Sequence, residues 1–200
     1  MTITYTIDDQ LYVNLTNRCS NRCDFCIRQN GDTVGDSDSL WLKDGEPTQE
    51  QVIADILGRD LKKFRDLVFC GYGEPTERLD VLLAAAKAVR AVSSIPIRIN
   101  TNGQADLILG RRTAPELKRL IDVVSISLNA SDADKYDKIC HSRFGKQAFD
   151  ALLAYAADCK AYVPHVVFSV VDCIGSEEVE KCRAVAQQVG VEYRVREMIN

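Results

Sequence analysis

The sequence predicts an α/β fold, specifically a partial (β/α)6 TIM-like open barrel with parallel strands. Short apolar runs alternate with longer segments of helical periodicity, and six such units can be counted. Strands separated by helices pair in parallel through right-handed crossovers, and six units are fewer than the eight that close a TIM barrel. Because strand order cannot be read from periodicity, a flavodoxin-like doubly wound sheet remains the alternative.

The predicted strands are short runs rich in Val, Ile and Leu. The fifth is almost continuously apolar, as expected of a strand that is covered on both faces. Pro96 interrupts the third strand near its start. The six predicted strands are residues 11–15, 67–70, 95–100, 123–128, 166–171 and 191–195.

The predicted helices have recognisable ends. Thr48 and Gln51 form a capping box at the start of the first helix, and Gly190 suits the position after the last one. An early proline is tolerated in the short third helix, and Gly145 divides the fourth into two pieces. The predicted helices are residues 48–64, 79–92, 115–120, 133–157 and 177–189.

Composition indicates one soluble domain over residues 1–200. Hydrophobic residues make up 46% and charged residues 27%, which is ordinary for a globular protein. The net charge of −4 argues against generic nucleic-acid binding, which needs clustered Lys and Arg. No run approaches the roughly 20 apolar residues of a membrane span, and the N-terminus lacks an export signal. We therefore expect a cytoplasmic protein without a membrane partner.

Three of the eight cysteines are clustered in a polar loop, residues 16–45, after the first strand. Cys19, Cys23 and Cys26 have the spacing C-x3-C-x2-C. Thiolates are the usual ligands of iron–sulfur clusters, and a [4Fe–4S] cube held by protein alone takes four of them. Three thiolates would leave one iron open to an outside ligand. A structural zinc site would normally have a second pair of ligands, but the other cysteines stand alone: Cys70, Cys140, Cys159, Cys173 and Cys182.

The cysteine spacing, with the aromatic Phe25 before the last cysteine, resembles the signature of the radical SAM superfamily. The resemblance implies that Cys19, Cys23 and Cys26 hold a [4Fe–4S] cluster. It also implies that S-adenosylmethionine chelates the fourth iron through its amine and carboxylate, with Phe25 beside the adenine.

A second motif follows the second predicted strand. Gly71-Tyr72-Gly73-Glu74-Pro75 resembles the "GGEP" motif of the same superfamily, with Tyr72 in place of the commoner glycine. Glycines would let the ligand approach the backbone closely. The resemblance implies that the first three residues face the methionine amine, while Glu74 shapes the loop and contacts the amine.

Polar residues end the later strands, at the edge where parallel α/β folds build their sites. By resemblance they would contact the ribose, the methionine carboxylate and the adenine. These residues are Asn100 and Thr101, Ser127 and Asn129, and Asp172. On the last strand, Arg194 or Arg196 would reach a carboxylate of cofactor or substrate, because Arg suits bidentate binding; we favour Arg194.

The resemblance implies an oxygen-sensitive enzyme that cleaves S-adenosylmethionine with an electron from reduced flavodoxin or ferredoxin. The 5′-deoxyadenosyl radical would then abstract hydrogen from a substrate that the sequence does not identify. One candidate is a partner protein, as for glycyl-radical-enzyme activating enzymes of similar size. Another is a small molecule, as in deazaguanine-synthase-like enzymes.

The narrower resemblance is to the small TatD family-associated radical SAM proteins, through the run from Asn17 to Cys26 and the segment F-C-G-Y-G-E-P-T. It makes a TatD-like hydrolase a candidate partner. A non-enzymatic iron–sulfur protein for electron transfer or sensing remains the alternative from another class. That alternative requires a fourth protein ligand to the cluster.

Overall fold

Seven strands form one sheet in the computed structural model, which describes residues 1–34 and 37–198. Residues 35–36 of the predicted cluster loop lie outside the described residues. Each strand lies beside its sequence neighbours, in the order β1 to β7. They are β1 (Thr4–Ile7), β2 (Gln10–Val13), β3 (Asp66–Phe69), β4 (Ile97–Thr101), β5 (Val123–Ser127), β6 (His165–Val171) and β7 (Glu192–Arg196).

The six predicted strands are confirmed as β2 to β7, which pair in parallel. The sequence did not predict β1, which pairs with β2 antiparallel through a tight turn in which Asp8 has a φ of 52°. Pro96 lies just before β4, where its carbonyl accepts a hydrogen bond from Leu67. The sequential order rules out the doubly wound alternative, because that arrangement reverses strand order at a switch point.

The described residues contain six α-helices. The capping box at Thr48 is confirmed, but the first helix ends at Gly58 rather than near residue 64, and a separate 3-10 turn follows it. The predicted helix at 115–120 is only a 3-10 turn at Ala114–Leu117. The helices are α1 (Gln49–Leu57), α2 (Leu79–Val92), α3 (Ala105–Leu109), α4 (Ala133–Cys140), α5 (Gln147–Cys159) and α6 (Ser176–Val189). None of these is long and apolar enough to cross a membrane.

The hydrophobic core lies between the sheet and the helices. Along β4, Ile97 and Ile99 are fully buried, whereas Arg98 and Asn100 on the opposite face are partly exposed. Sequential strands joined by right-handed crossovers place all their helices on one face of the sheet. The opposite face, hereafter the open face, therefore carries the side chains that alternate with the core residues.

The sheet curls around its open face. A cavity of about 290 Å³ on this face is lined by Tyr5 of β1 and also by Arg196 of β7. Strands at the two ends of the sheet can share a small cavity only if the sheet bends toward a barrel. Among the described residues β1 and β7 are not hydrogen-bonded to each other, so the barrel stays open. The predicted partial barrel is thus confirmed.

Replacing Leu82 with Ala should lower the free energy of unfolding by about 2 to 5 kcal/mol, because Leu82 of α2 is fully buried and its removal leaves a cavity. Leu57→Ala is the matched control on α1, since Leu57 is 41% exposed, and it should cost less than about 1 kcal/mol. Urea denaturation of both variants measures the difference. Equal losses of unfolding free energy in the two variants would show that Leu82 of α2 is not packed in the hydrophobic core.

Candidate active site

The three clustered cysteines line the cavity on the open face. All three thiols are free. The backbone N–H of Asn21 donates to Cys19 Sγ at 3.4 Å, and Arg28 Nε donates to Cys26 Sγ at the same distance. Burial, and then the nearby Glu74 carboxylate, raise the pKa of the Cys19 thiol to about 12. Metal binding at such a site would release the thiol protons.

The end of α4 holds the cysteine loop in place. The N–H of Arg22 donates to the carbonyl of Cys140 at 2.9 Å, and the N–H of Asp24 donates to that of Ile139 at 3.0 Å. A hydrogen bond with the buried Cys140 thiol, together with burial, raises the pKa of the Cys23 thiol. The loop is therefore fixed to a helix more than 100 residues later in the chain.

A buried polar network, which the sequence did not predict, lies under the cysteine loop. Asn21 Nδ2 and Gln104 Nε2 both donate to the Tyr136 hydroxyl at 2.9 Å. Gln104 Nε2 also donates to Asn21 Oδ1 at 2.8 Å, and Ser142 Oγ donates to Gln104 Oε1. Each of these buried polar side chains has hydrogen-bond partners, as is usual in folded proteins. Because Asn21 lies between Cys19 and Cys23, these hydrogen bonds orient the cysteine loop.

Within the described residues, no three His, Cys, Asp or Glu side chains converge on one metal-ion position. An iron–sulfur cube imposes a different requirement, since each thiolate binds its own iron. Three separate thiols around one cavity meet that requirement. The donor set therefore fits a cluster better than a single zinc ion.

Gly71 and Gly73 pack against the end of β2. A Cβ at Gly71 would lie 2.1 Å from Asn14 Oδ1, and a Cβ at Gly73 would lie 2.3 Å from the carbonyl oxygen of Thr16. The same Gly73 Cβ would lie 2.5 Å from the carbonyl oxygen of Arg18. The sequence analysis attributed these glycines to the close approach of a ligand. In the structure, atoms of Asn14, Thr16 and Arg18 occupy the space at their Cβ positions. Glycine is needed here for close backbone packing.

Asn14 joins three segments around the cavity and was missed by the sequence analysis. Its Oδ1 accepts from the N–H of Tyr72 at 3.4 Å, while its Nδ2 donates to the carbonyl of Leu40 at 2.7 Å. The Tyr72 hydroxyl donates to the carbonyl of Gly31 at 2.7 Å, and its ring meets Trp41 edge-on at 5.1 Å. Residues of the cluster loop are thereby packed over the motif after β3.

Glu74 is buried, and its carboxylate accepts hydrogen bonds from neighbouring loops. Its Oε1 accepts from the N–H and hydroxyl of Thr76 at 3.1 and 2.7 Å, and from the hydroxyl of Thr101 at 2.7 Å. Its Oε2 accepts from the N–H of Asn102 at 2.7 Å. Burial raises the pKa of Glu74, and these hydrogen bonds oppose that rise. Glu74 therefore links the loops after β3 and β4.

Asn102 extends this link to the cysteine loop. Its Nδ2 donates to Ser20 Oγ at 2.7 Å and lies 4.0 Å from Cys19 Sγ. The sequence analysis assigned Asn102 no role. Glu74 and Asn102 together connect the β3 loop with the residue next to a cysteine of the cluster.

Most of the predicted cofactor residues lie around the same cavity. Asn129 has a φ of 56° and a buried Oδ1 without a hydrogen-bond partner among the described residues. An unpartnered buried acceptor facing a cavity suits a ligand that donates a hydrogen bond. The lining includes Phe25, Gly71, Tyr72, Gly73, Glu74, Asn100, Thr101, Ser127 and Asn129 as well as the three cysteines.

Two predicted residues lie outside this lining. Asp172 is exposed and accepts a hydrogen bond from the N–H of Met198 at 3.0 Å. Arg194 is also exposed, whereas Arg196, two residues further along β7, lines the cavity. The alternation of side chains along a strand allowed either arginine, and only the curl of the sheet distinguishes them.

The sequence model of the Radical SAM superfamily matches residues 13–187. This match includes the cysteine loop, the strands β3 to β6 and the last residue of β2. The chain belongs to the radical SAM superfamily. Members use a [4Fe–4S] cluster and S-adenosylmethionine, and the donor set around the cavity fits both.

Curated relatives of this radical SAM chain include GTP 3′,8-cyclase of Lactiplantibacillus plantarum, 29% identical over 73% of the chain and 41% of the relative. Molybdenum cofactor biosynthesis protein 1 of Drosophila melanogaster is 30% identical over 64% of the chain and 21% of its own length. The chain thus spans less than half the length of these relatives.

Solved structures with the same fold include Streptococcus suis SuiB bound to the precursor peptide SuiA, with a TM-score of 0.65 and 15% identity. That match covers 98% of the radical SAM chain and 40% of SuiB. The [FeFe]-hydrogenase maturase HydG matches with a TM-score of 0.64 and 14% identity, over 96% of the chain and 42% of HydG.

Gly73→Ala should lower the free energy of unfolding by about 2 to 3 kcal/mol, because the added methyl group overlaps two backbone carbonyls that cannot move independently. Gly58→Ala is the control, since Gly58 has a φ of −71° at the end of α1, and its cost should stay below about 1 kcal/mol. Thermal and urea denaturation measure both. A stable Gly73→Ala variant would contradict the close packing of the loop on β2.

Glu74→Gln should cost about 2 to 3 kcal/mol, because one amide N–H2 group replaces an acceptor in a site that is surrounded by donors. Glu180→Gln removes an exposed carboxylate from α6 and should leave the unfolding midpoint near that of the wild type. Equal midpoints for the two variants in urea would show that Glu74 does not join the loops.

Proposed function

We propose that residues 1–200 form one radical SAM core domain and that Cys19, Cys23 and Cys26 hold its [4Fe–4S] cluster. When bound there, the cluster and S-adenosylmethionine would supply a one-electron cleavage of the C5′–S bond, with the electron from the reduced donor, and hydrogen abstraction from the substrate. The observation that carries this proposal is that the three thiols and the polar strand ends line one cavity.

The chain's own contribution is to bind, orient and shield. The free thiols of the cysteine loop would each bind one iron. Asn129 Oδ1, buried without a partner among the described residues, would accept a hydrogen bond from the cofactor. Tyr72 and Trp41 pack the cluster loop over the cavity and would limit the entry of water and oxygen.

The remaining predicted contacts are proposed in the same terms. Asn100, Thr101 and Ser127 line the cavity at the ends of β4 and β5, where they would meet the ribose and the methionine carboxylate. Phe25 lines the same cavity and would lie beside the adenine. The predicted roles of Asp172 and Arg194 have less geometric support, because neither lines the cavity.

The substrate and partners also remain proposals. The Lactiplantibacillus plantarum relative is a GTP 3′,8-cyclase, and SuiB has been solved with a precursor peptide. We propose either a partner protein placed against the open face or a small molecule within it. Reduced flavodoxin or ferredoxin is the proposed electron donor. The TatD family-associated resemblance, with a TatD-like hydrolase as partner, stays a prediction.

The protein should form 5′-deoxyadenosine after anaerobic reconstitution with iron and sulfide, reduction with dithionite and addition of S-adenosylmethionine. Cys23→Ala should lower this product at least about 100-fold, since the variant lacks one thiolate of the cluster. Cys182→Ala is the matched control, because Cys182 is buried in α6, away from the cavity, and it should retain the activity.

Chromatography of the product and iron analysis check the prediction together. About four irons per chain without 5′-deoxyadenosine would favour the alternative, a non-enzymatic electron-transfer or sensor protein. Equal activity of the Cys23 and Cys182 variants would contradict the assignment of the cluster ligands.

A further inference from the structure

Two arginine side chains on the open face have buried nitrogens without partners. Arg98 Nε and Arg196 Nε are both inaccessible to solvent and lack a hydrogen-bond partner among the described residues. Arg98 lies on β4, the central strand of the sheet, and Arg196 ends β7 at one edge. Buried side-chain donors are nearly always satisfied in folded proteins. Arg196 also lines the cavity on the open face, so its unsatisfied donor indicates an acceptor that is missing from that cavity.

The charges around Arg196 are mainly positive. Burial lowers the pKa of the Arg196 guanidinium, and the positive charges of Arg194 and Arg98 lower it further, while Cys70 and Tyr12 act in the opposite sense. Tyr12 of β2, Cys70 directly after β3 and Arg196 at the end of β7 line the same cavity. Arg196 is therefore a cation in a confined space with two other cations nearby.

The available acidic groups compensate this charge only in part. Asp66 lies 3.4 Å from Arg98 and forms an ion pair with it. In the part of the chain that the structure describes, neither Arg194 nor Arg196 forms an ion pair. Glu197 lines the rim of the cavity but is exposed. The open face thus keeps at least two guanidinium groups without a carboxylate partner.

Arg196 cannot remove its uncompensated charge by losing a proton, because the pKa of a guanidinium group in a protein is too high. Burying a cation without a counter-ion is costly. The cost is offset when an anion occupies the cavity, and the planar fork of Arg matches the two oxygens of a carboxylate or phosphate. Arg196 is therefore suited to bind an oxyanion in the cavity.

We propose that Arg196, assisted by the positive charges of the nearby Arg98 and Arg194, binds a carboxylate or phosphate group of the substrate on the open face. The proposal depends on the proposed function, which it extends by assigning the substrate a negatively charged group. Arg98 lies two residues before Asn100 on β4, one step further from the strand ends at which the cofactor contacts are proposed. Because Arg196 ends β7, the anion would hold the substrate on the β7 side of the cavity, beside the strand ends at which the cofactor contacts are proposed.

Titration calorimetry of the reconstituted, S-adenosylmethionine-saturated protein tests the proposal, with pyrophosphate and malonate as separate probes. We expect one probe to bind, and its identity distinguishes a phosphate site from a carboxylate site. Arg196→Gln should weaken that binding roughly 10- to 100-fold, the range for losing a charge-assisted hydrogen bond. Arg196→Lys, which keeps the charge without the fork, should weaken it less.

Arg183→Gln is the matched control, because it removes the same charge from α6 on the helical side and should leave anion binding intact. If Arg196→Gln fails to fold, Arg194→Gln provides the test at an exposed position and should still weaken binding several-fold. Failure of both probes to bind the wild type would overturn the proposal. So would equal binding by wild type and variants.

A third contrary result would be a loss of S-adenosylmethionine affinity in Arg196→Gln as large as the loss of anion affinity, which would assign Arg196 to the cofactor. Formation of 5′-deoxyadenosine by the wild type is measured in parallel without either probe. Absence of 5′-deoxyadenosine would count against the proposed function. Anion binding and its dependence on Arg196 are measured separately, so failure of this proposal can be distinguished from failure of the proposed function.

Discussion

The contact of the loop after β3 with the end of β2 is the constraint on which the site depends. At Gly73 the two backbones approach so closely that even a methyl group would overlap the carbonyl oxygens of Thr16 and Arg18. The N–H of Glu74 also donates to the carbonyl of Arg18 at 2.8 Å. Because Cys19 follows Arg18 directly, this packing fixes the position of the first cysteine of the cluster loop.

From this contact, buried polar groups carry the constraint to the rest of the cavity. The carboxylate of Glu74 fixes Asn102 after β4, and Asn102 in turn holds Ser20 beside Cys19. Gln104 and Tyr136 continue the connection toward α4, whose last residues bind the backbone of the cysteine loop. Partly satisfied networks of this kind are costly in a core. The complete set of partners therefore keeps three thiols around one cavity without help from a disulfide.

Among the described residues, most of the buried side-chain atoms without a hydrogen-bond partner lie on the functional face. Asn129 Oδ1, Arg98 Nε and Arg196 Nε all lack partners among the described residues, and all lie on or beside the open face. Two further buried atoms, Glu77 Oε1 and the Tyr155 hydroxyl, also lack a hydrogen-bond partner among the described residues. The donors and the acceptor without partners on the open face are available to ligands. The open face thus combines an acceptor near the cysteines with cations near β7.

The sequence by itself determined the features that depend on local spacing. Alternating apolar runs identified β2 to β7, the capping box at Thr48 identified the start of α1, and the cysteine spacing identified the superfamily. Only the tertiary structure decided which side chains meet. Glu74 and Asn102 are 28 residues apart, and Asn21 and Tyr136 are 115 apart, so no local pattern records their contacts. The curl of the sheet decides that Arg196 rather than Arg194 lines the cavity. Strand periodicity places both side chains on the same face but does not say how far each lies from the cavity.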